Sequence, residues 1–427
     1  MPRKMKESDS QLLGLLPSNW ECNVVRRCYN IILGKMLCPE RIDESYSLEK
    51  YYCAANVHFD GVSDNGLKAM WFSPSEKREY GVREGDLLVV EGGAGAGGAA
   101  IAGRQRGFVG VQNSVMIVRP KKDADVRLLK YWLQVAVPSG YIDCVCNRAT
   151  IPHFTKDKIG NMKIPYPPPA EQRRIAAYLD ERCAKIDGMI AEAKASIEDY
   201  KKWKQSIIFE AVTGKLEKNL RPSGIEWMGD VPCDWRVERL QWHLEEVVEK
   251  NDPIRTTNIL SLTNDRGVIP YEEKGDIGNK AKENFAEYKL AFKDTIVANS
   301  MNILIGSVGL SKYEGCVSPV YYVFKNRPNS SIRFFSYVFQ MPAFQRELRR
   351  YANGILEIRL RVSASDILRR QVAIPTLSEQ ERIATFLDEK CAAIDKLVGE
   401  KESLIADLEA YKKSLIFETV TGKREVV

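Results

Sequence analysis

The stretch EQRRIAAYLDERCAKID at residues 171–187 returns as EQERIATFLDEKCAAID at residues 379–395, and this duplication decides the fold. Both copies continue without a gap until each ends on Val-Thr-Gly-Lys, at Lys215 and at Lys423. Over the 45 positions from Glu171 to Lys215, 24 residues are identical at an offset of 208. Identity of this extent within one chain indicates a tandem repeat of one structural unit.

The duplication also reaches the start of each half of the chain. Pro17 and Trp20 recur as Pro232 and Trp235 at an offset of 215. Between these landmarks and the repeated segments the two halves hardly resemble each other. The sequence therefore predicts two divergent domains at 1–163 and 217–373, each followed by a repeated segment, at 164–216 and 374–427.

Each repeated segment has the apolar periodicity of a long helix. In the first copy Leu179, Cys183, Ile186 and Ile190 follow one another in steps of three and four, as in a heptad stripe. Prolines precede the stripe and a glycine follows it, so each copy is predicted to form one capped helix of about 42 residues and roughly 60 Å. The stripe favours a coiled coil between the two copies, and the alternative is that each helix packs on its neighbouring domain.

The divergent regions have the signature of mixed, strand-rich domains. Apolar, β-branched or aromatic runs indicate strands, and two amphipathic stretches indicate helices. The predicted strands are 86–90, 114–118, 295–298 and 320–324, and the predicted helices lie near Val126–Ala136 and Arg333–Glu347.

Composition excludes several classes of protein. The 427 residues contain 44% apolar and 28% charged residues, with no apolar run of membrane-spanning length and no signal-like start, so a cytoplasmic protein without a membrane partner is expected. Ten scattered cysteines and three histidines lack metal-ligand spacing, so we expect reduced thiols and no metal site. The net charge of +6 sits in the divergent domains, which carry surpluses of five and three, and this fits either a DNA-contacting surface or a solvated surface without a partner.

Known catalytic motifs are also missing from the sequence. Gly93, Gly95 and Gly98 match G-x-G-x-x-G, but the chain after them is too broken to form the helix that would present its N-terminus to a phosphate. A hairpin or a DNA-facing loop is therefore favoured over a cofactor site. Asp180 and Asp388, each followed by Glu, are interpreted as solvated or interface charges because adjacent helical residues point about 100° apart.

Several motifs together carry a resemblance to a known family. The stretch GIEWMGDVPCDW at 224–235, its eroded copy at 14–20, the repeated Glu-Gln-x-Arg-Ile-Ala-x-x-Leu-Asp and the Thr-Gly-Lys endings resemble the specificity subunit of type I restriction-modification systems over essentially the full length. The resemblance implies an α+β protein with two target recognition domains separated by two long helices that form an antiparallel coiled coil. Each domain would then read one half of a bipartite target in double-stranded DNA.

The same resemblance implies the partners and cofactors. The helices would set the spacing and bind methyltransferase subunits, two of them, and restriction (motor-nuclease) subunits would join. S-adenosylmethionine, ATP and Mg would serve those partners, with no cofactor and no catalytic residue in this chain. The alternatives are a stand-alone S-adenosylmethionine-dependent enzyme that uses the glycines at 93–98, and a purely structural coiled-coil adaptor.

Base and phosphate contacts call for Arg, Lys, Asn or Gln on loops that face the groove. The candidate DNA-binding residues are Arg104, Arg106, Gln112, Asn113 and Arg148 in the first domain, and Asn299, Asn302, Lys312, Arg359 and Arg361 in the second.

Overall fold

A computed structural model describes residues 3–8, 10, 13–121, 123–140, 153–263, 266–275, 284–352 and 360–426. The chain divides into two compact units, one made of Met1–Lys194 with Glu402–Val427 and the other of Ala195–Lys401. Each unit contains one strand-rich domain and a part of both long helices, so the α+β prediction is confirmed.

The first half of the chain is built from short strands followed by a long helix. Its strands are β1 Met5–Glu7, β2 Leu15–Pro17, β3 Glu21–Val24, β4 Tyr29–Leu33, β5 Ser47–Tyr52, β6 Val57–His58, β7 Gly61–Val62, β8 Lys68–Phe72, β9 Leu87–Val90, β10 Ala99–Ile101, β11 Val109–Val111, β12 Val115–Pro120 and β13 Lys163–Tyr166. Its helices are α1 Val25–Cys28, α2 Pro74–Tyr80, α3 Val126–Ala136, α4 Lys156–Asn161 and the long α5 Pro169–Val212.

The second half repeats this plan with fewer strands among the described residues. They are β14 Leu220–Pro222, β15 Asp230–Pro232, β16 Arg236–Arg239, β17 Leu244–Glu246, β18 Leu260–Thr263, β19 Gly267–Pro270, β20 Lys289–Ala291, β21 Ile296–Asn299, β22 Val308–Leu310, β23 Gly315–Val317, β24 Tyr321–Asn326 and β25 Gln371–Ile374. The helices are α6 Ile332–Gln340, α7 Pro342–Arg349, α8 Ala364–Leu368 and the long α9 Leu377–Val420.

Each of the two divergent domains has its own four-stranded central sheet, and the two sheets have the same arrangement. The first domain has the strand order β10-β9-β12-β4, and the second has β22-β21-β24-β17, antiparallel throughout in both. In each domain an early strand also pairs with the last strand before the long helix, β3 with β13 and β16 with β25. The domains therefore keep a common scaffold although their sequences have diverged.

The strands predicted from sequence are confirmed as β9, β12, β21 and β24. The helix at Val126–Ala136 is confirmed as α3, but the stretch predicted as a helix near Arg333–Glu347 is divided into α6 and α7 at Met341. Pro342 causes the break, because proline disfavours helical backbone at the residue before it and lacks the N–H that would continue the helix. No helix among the described ranges is long and apolar enough to cross a bilayer.

Both repeated segments form single helices of 44 residues, close to the predicted 42. In the first unit, ion pairing brings Asp187 of α5 within 2.6 Å of Lys412 of α9. In the second unit, Lys204 of α5 lies 2.6 Å from Asp395 of α9. Asp187 and Asp395 are repeat equivalents, as are Lys204 and Lys412, so the same antiparallel register holds in each unit.

The apolar stripe of each helix faces two partners at once. In the first unit Leu179, Cys183 and Ile190 are buried in one core with Leu415 of α9 and with Trp132 of the domain. The second unit packs Leu387 and Cys391 in the same way with residues of α5 and α6. The two packing alternatives left open by the sequence are therefore both realised, since each stripe contacts the other helix and its own domain.

Candidate nucleic-acid interface

The hairpin formed by β9 and β10 separates the candidate residues of the first domain into two groups. Arg104 and Arg106 follow β10, at the end of the hairpin where Ile101 pairs with Leu87. Gln112 and Asn113 lie in the turn before β12, at the opposite end, where the backbone N–H of Glu91 donates to Ser114. A four-residue strand spans roughly 10 Å, so the four residues do not form one cluster.

Arg104 and Arg106 are exposed, and they take part in no ion pair with the part of the chain that the structure describes. Gln112 and Asn113 are half-buried instead. The Gln112 amide donates to Asn113 Oδ1 at 2.6 Å, and Ser114 Oγ donates to Gln112 Oε1 at 2.5 Å. The arginines are therefore available to a ligand, whereas these two amides already bind within their own turn.

The second domain divides its candidates in the same way. Asn299 is buried at the end of β21, where its Oδ1 accepts the backbone N–H of Met301 at 3.0 Å. Asn302 is exposed in the following loop, and Arg361 reaches the same loop with Nη2 at 3.4 Å from Met301 Sδ. Lys312 is exposed after β22, at the opposite end of this hairpin.

Arg148 and Arg359 lie outside the described residues, and so do Cys144 and Cys146. None of the eight described cysteines forms a disulfide. Among the described residues, no group of three His, Cys, Asp or Glu side chains could hold a metal ion.

The glycine motif forms the connection between two antiparallel strands. Gly93, Gly95 and Gly98 lie between β9 and β10, and the backbone N–H of Val90 donates to the carbonyl of Gly98 at 2.8 Å. β10 follows at once, so there is no helix N-terminus to receive a phosphate. The hairpin prediction is confirmed.

One helix in each domain is tied to the start of a long helix by a buried glutamine. Gln172 Oε1 accepts the backbone N–H of Asp125 at 2.9 Å, at the start of α3. Gln380 Oε1 accepts the backbone N–H of Ser331 at 2.8 Å, at the start of α6. The glutamine of each repeated Glu-Gln therefore anchors the neighbouring strand-rich domain on its long helix.

The aspartate of each Leu-Asp-Glu completes this attachment. Asp180 accepts hydrogen bonds from Arg127 at 2.8 Å and from the Tyr131 hydroxyl at 2.6 Å. Hydrogen bonding to Asp125 and then to Asp180 raises the pKa of Arg127, and burial raises the pKa of Tyr131, so both remain donors. The interpretation of Asp180 as an interface charge is confirmed.

Asp388 has the same role in the second domain. It binds Arg333, with Nε at 3.0 Å, and the Tyr337 hydroxyl at 2.6 Å. Sequence reasoning missed this repeated Arg-x-x-x-Tyr motif in α3 and α6, whose offset of 206 differs from both offsets found elsewhere.

Comparisons with known proteins point to one family. The family described as Type I restriction modification DNA specificity domain matches residues 64–199 and 241–404. The chain is 24% identical to the type I restriction enzyme MjaVIII specificity subunit of Methanocaldococcus jannaschii, over 99% of this chain and 97% of that protein. It is 21% identical to the EcoBI specificity subunit of Escherichia coli over 66% of this chain and 64% of that one.

Two solved structures share the fold. A chain from a study of the assembly and conformational transition of a type I R-M system superposes with a TM-score of 0.71 at 16% identity, covering 96% of this chain and 99% of that one. The HsdS subunit from Thermoanaerobacter tengcongensis gives a TM-score of 0.54 at 17% identity, with 98% and 100% covered.

Proposed function

Since this chain belongs to the family of type I restriction-modification DNA specificity domains, we propose that each of its two strand-rich domains reads one half of a bipartite DNA sequence. The observation that carries the proposal is the pairing of like scaffolds with unlike loops. Both domains keep the same four-stranded sheet, and both are held on their long helix by Gln and Asp. The loops after corresponding strands differ in sequence, as two domains that read different bases require.

The long helices would set the spacing between the two half-sites. A helix of 44 residues is about 66 Å long at 1.5 Å per residue, and DNA contacts recur with the pitch of the duplex. A fixed helix length would thereby give a constant gap between the two half-sites.

The helices would also bind two methyltransferase subunits. Met189 and Trp203 on α5 are 50% exposed, and Leu397 and Tyr411 at the equivalent positions of α9 are 37% and 50% exposed. These residues are spaced by two heptads on each helix and lie outside the buried stripe. In the register of the two ion pairs between the helices, Trp203 lies level with Leu397 and Met189 level with Tyr411, so each pair would offer one exposed apolar patch to a partner.

In the assembled complex this chain would supply the recognition of the sequence and its partners the chemistry. The methyltransferase subunits would hold S-adenosylmethionine, and restriction (motor-nuclease) subunits would use ATP and Mg. This division of labour leaves the chain itself non-catalytic and without a cofactor.

The proposal is tested by co-expression with the methyltransferase subunit and sequencing of the methylated bases. A split motif with a constant gap is expected. Trp203→Ser with Leu397→Ser should remove one methyltransferase subunit in native mass spectrometry, whereas Met36→Ser, an exposed methionine of the first domain, should not. Methylation without a bipartite motif would contradict the proposed recognition of two half-sites.

A further inference from the structure

The loop between β10 and β11 presents two arginines on either side of an anchored glutamine. Arg104 and Arg106 are exposed, and Gln105 between them is half-buried. Consecutive Cα atoms are 3.8 Å apart, so the Cα atoms of the two arginines lie within about 7.6 Å of each other. Both arginine side chains are exposed while Gln105 between them contacts the interior, so the loop carries two neighbouring exposed cations.

Gln105 is fixed by the interior of the domain. Its Oε1 lies 2.9 Å from the hydroxyl of Tyr52, and its Nε2 donates to the carbonyl of Gly103 at 3.0 Å. Tyr52 is fully buried in β5, and its hydroxyl also lies 2.5 Å from Asp64 Oδ1. Burial, followed by the hydrogen bond to Asp64, raises the pKa of Tyr52, so the anchor remains protonated at neutral pH.

The second domain has the same connection between β22 and β23. Lys312 is exposed there, and the preceding Ser311 is fully buried. Ser311 Oγ donates to the carbonyl of Tyr313 at 2.8 Å and accepts its backbone N–H at 3.2 Å. In both domains an exposed cation therefore stands next to a polar residue whose side chain is bonded, in the connection that follows the corresponding strand, β10 or β22.

We propose that these two connections, 102–108 and 311–314, are the equivalent DNA-reading loops of the two domains, with Tyr52 and Gln105 as positioning residues for Arg104 and Arg106. The inference rests on the proposed function and deepens it. Arginine recognises guanine edges and phosphates through two parallel hydrogen bonds, which depend on orientation. A loop held in place before binding loses less conformational entropy when it meets DNA.

The amides of Gln112, Asn113 and Asn299, at the opposite ends of the hairpins, fit this role less well. There the Gln112 amide donates to Asn113 Oδ1, and Asn299 Oδ1 accepts the backbone N–H of Met301. Polar groups satisfied within their own turn would have to give up those bonds before they could read a base.

The test uses the full chain assembled with its methyltransferase subunit. Arg104→Gln with Arg106→Gln should weaken binding to the target sequence, as identified from the methylated bases, at least tenfold. Each lost phosphate contact should reduce the slope of the logarithm of the binding constant against the logarithm of the salt concentration by about 0.9. Sequencing should show relaxed bases in one half-site alone, and Lys312→Gln should relax the other. The matched control, Lys50→Gln with Lys68→Gln, removes the same charge from exposed positions of β5 and β8 and should leave both half-sites intact.

The positioning role is tested separately by Gln105→Ala. We expect about a threefold to tenfold weakening with the salt slope kept, because both cations remain. In the background without the two arginines, Gln105→Ala should have no further effect, since a positioning residue acts only through the groups it positions. Thermal stability should be equal in both backgrounds.

The outcomes separate the loop from the wider proposal. If the arginine variant keeps both half-sites intact, as the lysine control is expected to do, the loop assignment is overturned and the proposed function still stands. An added loss from Gln105→Ala in the arginine-free background overturns the positioning role. A wild-type complex without a bipartite motif overturns the proposed function and the inference together.

Discussion

Replacing Gly422 with alanine should destabilise the first unit strongly, because that glycine meets two constraints at once. Gly422 lies just after the last helical residue of α9 and has a φ of +71°, in the left-handed region. A Cβ built there would lie 2.6 Å from Pro17 Cδ, closer still to Pro17 Cγ, and 3.1 Å from Trp20 Cη2. Trp20 is fully buried, so the ring has no room to withdraw.

The magnitude follows from the two constraints. The left-handed conformation costs a residue with a Cβ about 1–2 kcal/mol. Forcing a methyl group into a packed contact costs about 1–3 kcal/mol more. Gly422→Ala should therefore lower the free energy of unfolding by about 2–5 kcal/mol.

Two controls in the same unit separate the constraints. Gly14 has a φ of +62° but open space around its Cβ position, so Gly14→Ala should cost only about 1–2 kcal/mol. Gly188 lies within α5 with open space, so Gly188→Ala should stabilise by about 1 kcal/mol.

Differential scanning calorimetry of the full chain measures all three variants. For a unit of this size 1 kcal/mol shifts Tm by about 2–4 °C, so Gly422→Ala should lower the transition of the first unit by roughly 4–20 °C. Equal shifts for Gly422→Ala and Gly14→Ala would refute the steric part of this reasoning. Gly214→Ala should repeat the effect in the second unit, since its Cβ would meet Pro232 and Trp235.

Three further changes have expected outcomes. Gln380→Ala leaves the buried backbone N–H of Ser331 without its acceptor and should cost about 1–3 kcal/mol in urea unfolding; a change below 0.5 kcal/mol would speak against the anchor. Asp187→Asn removes an ion pair with Lys412 of α9. Because the Asp187 side chain is 56% exposed, the free energy of unfolding should fall by less than about 1 kcal/mol in the same assay, and a loss twice as large would contradict a weak surface pair. Burial raises the pKa of Cys316 to about 11, which keeps its thiol neutral at pH 8. Peptide mapping should therefore find that iodoacetamide modifies exposed Cys233 first, and that the modification of Cys316 becomes faster as the pH approaches 11. Equal modification rates of the two thiols at pH 8 would count against the burial of Cys316.

Much of the fold was predictable because its signals are local. The long helices are predicted by apolar residues that recur in steps of three and four, with prolines before them and a glycine after them. β9 and β12 are apolar runs that can be read without knowledge of their partners. The break between α6 and α7 at Met341 also has a local cause, and Pro342 was the residue from which it could have been predicted.

The attachment of each domain to its helix was less accessible to sequence reasoning. Arg127 and Tyr131 recur as Arg333 and Tyr337, but few other residues of α3 and α6 are identical, and insertions change the offset on either side. A hydrogen-bonded pair needs only two matching side chains, so it leaves a weak signal in the chain.

The sequence by itself determined the duplication, the two long helices, the family and the position of the surplus charge, because each of these depends on composition or on neighbours along the chain. The tertiary structure decided which side chains meet. Gly422 rests against Pro17 at the other end of the chain, and Arg104 and Gln112, eight residues apart, lie at opposite ends of one hairpin. Such contacts arise from strand direction and packing between distant segments, and no local pattern of residues encodes them.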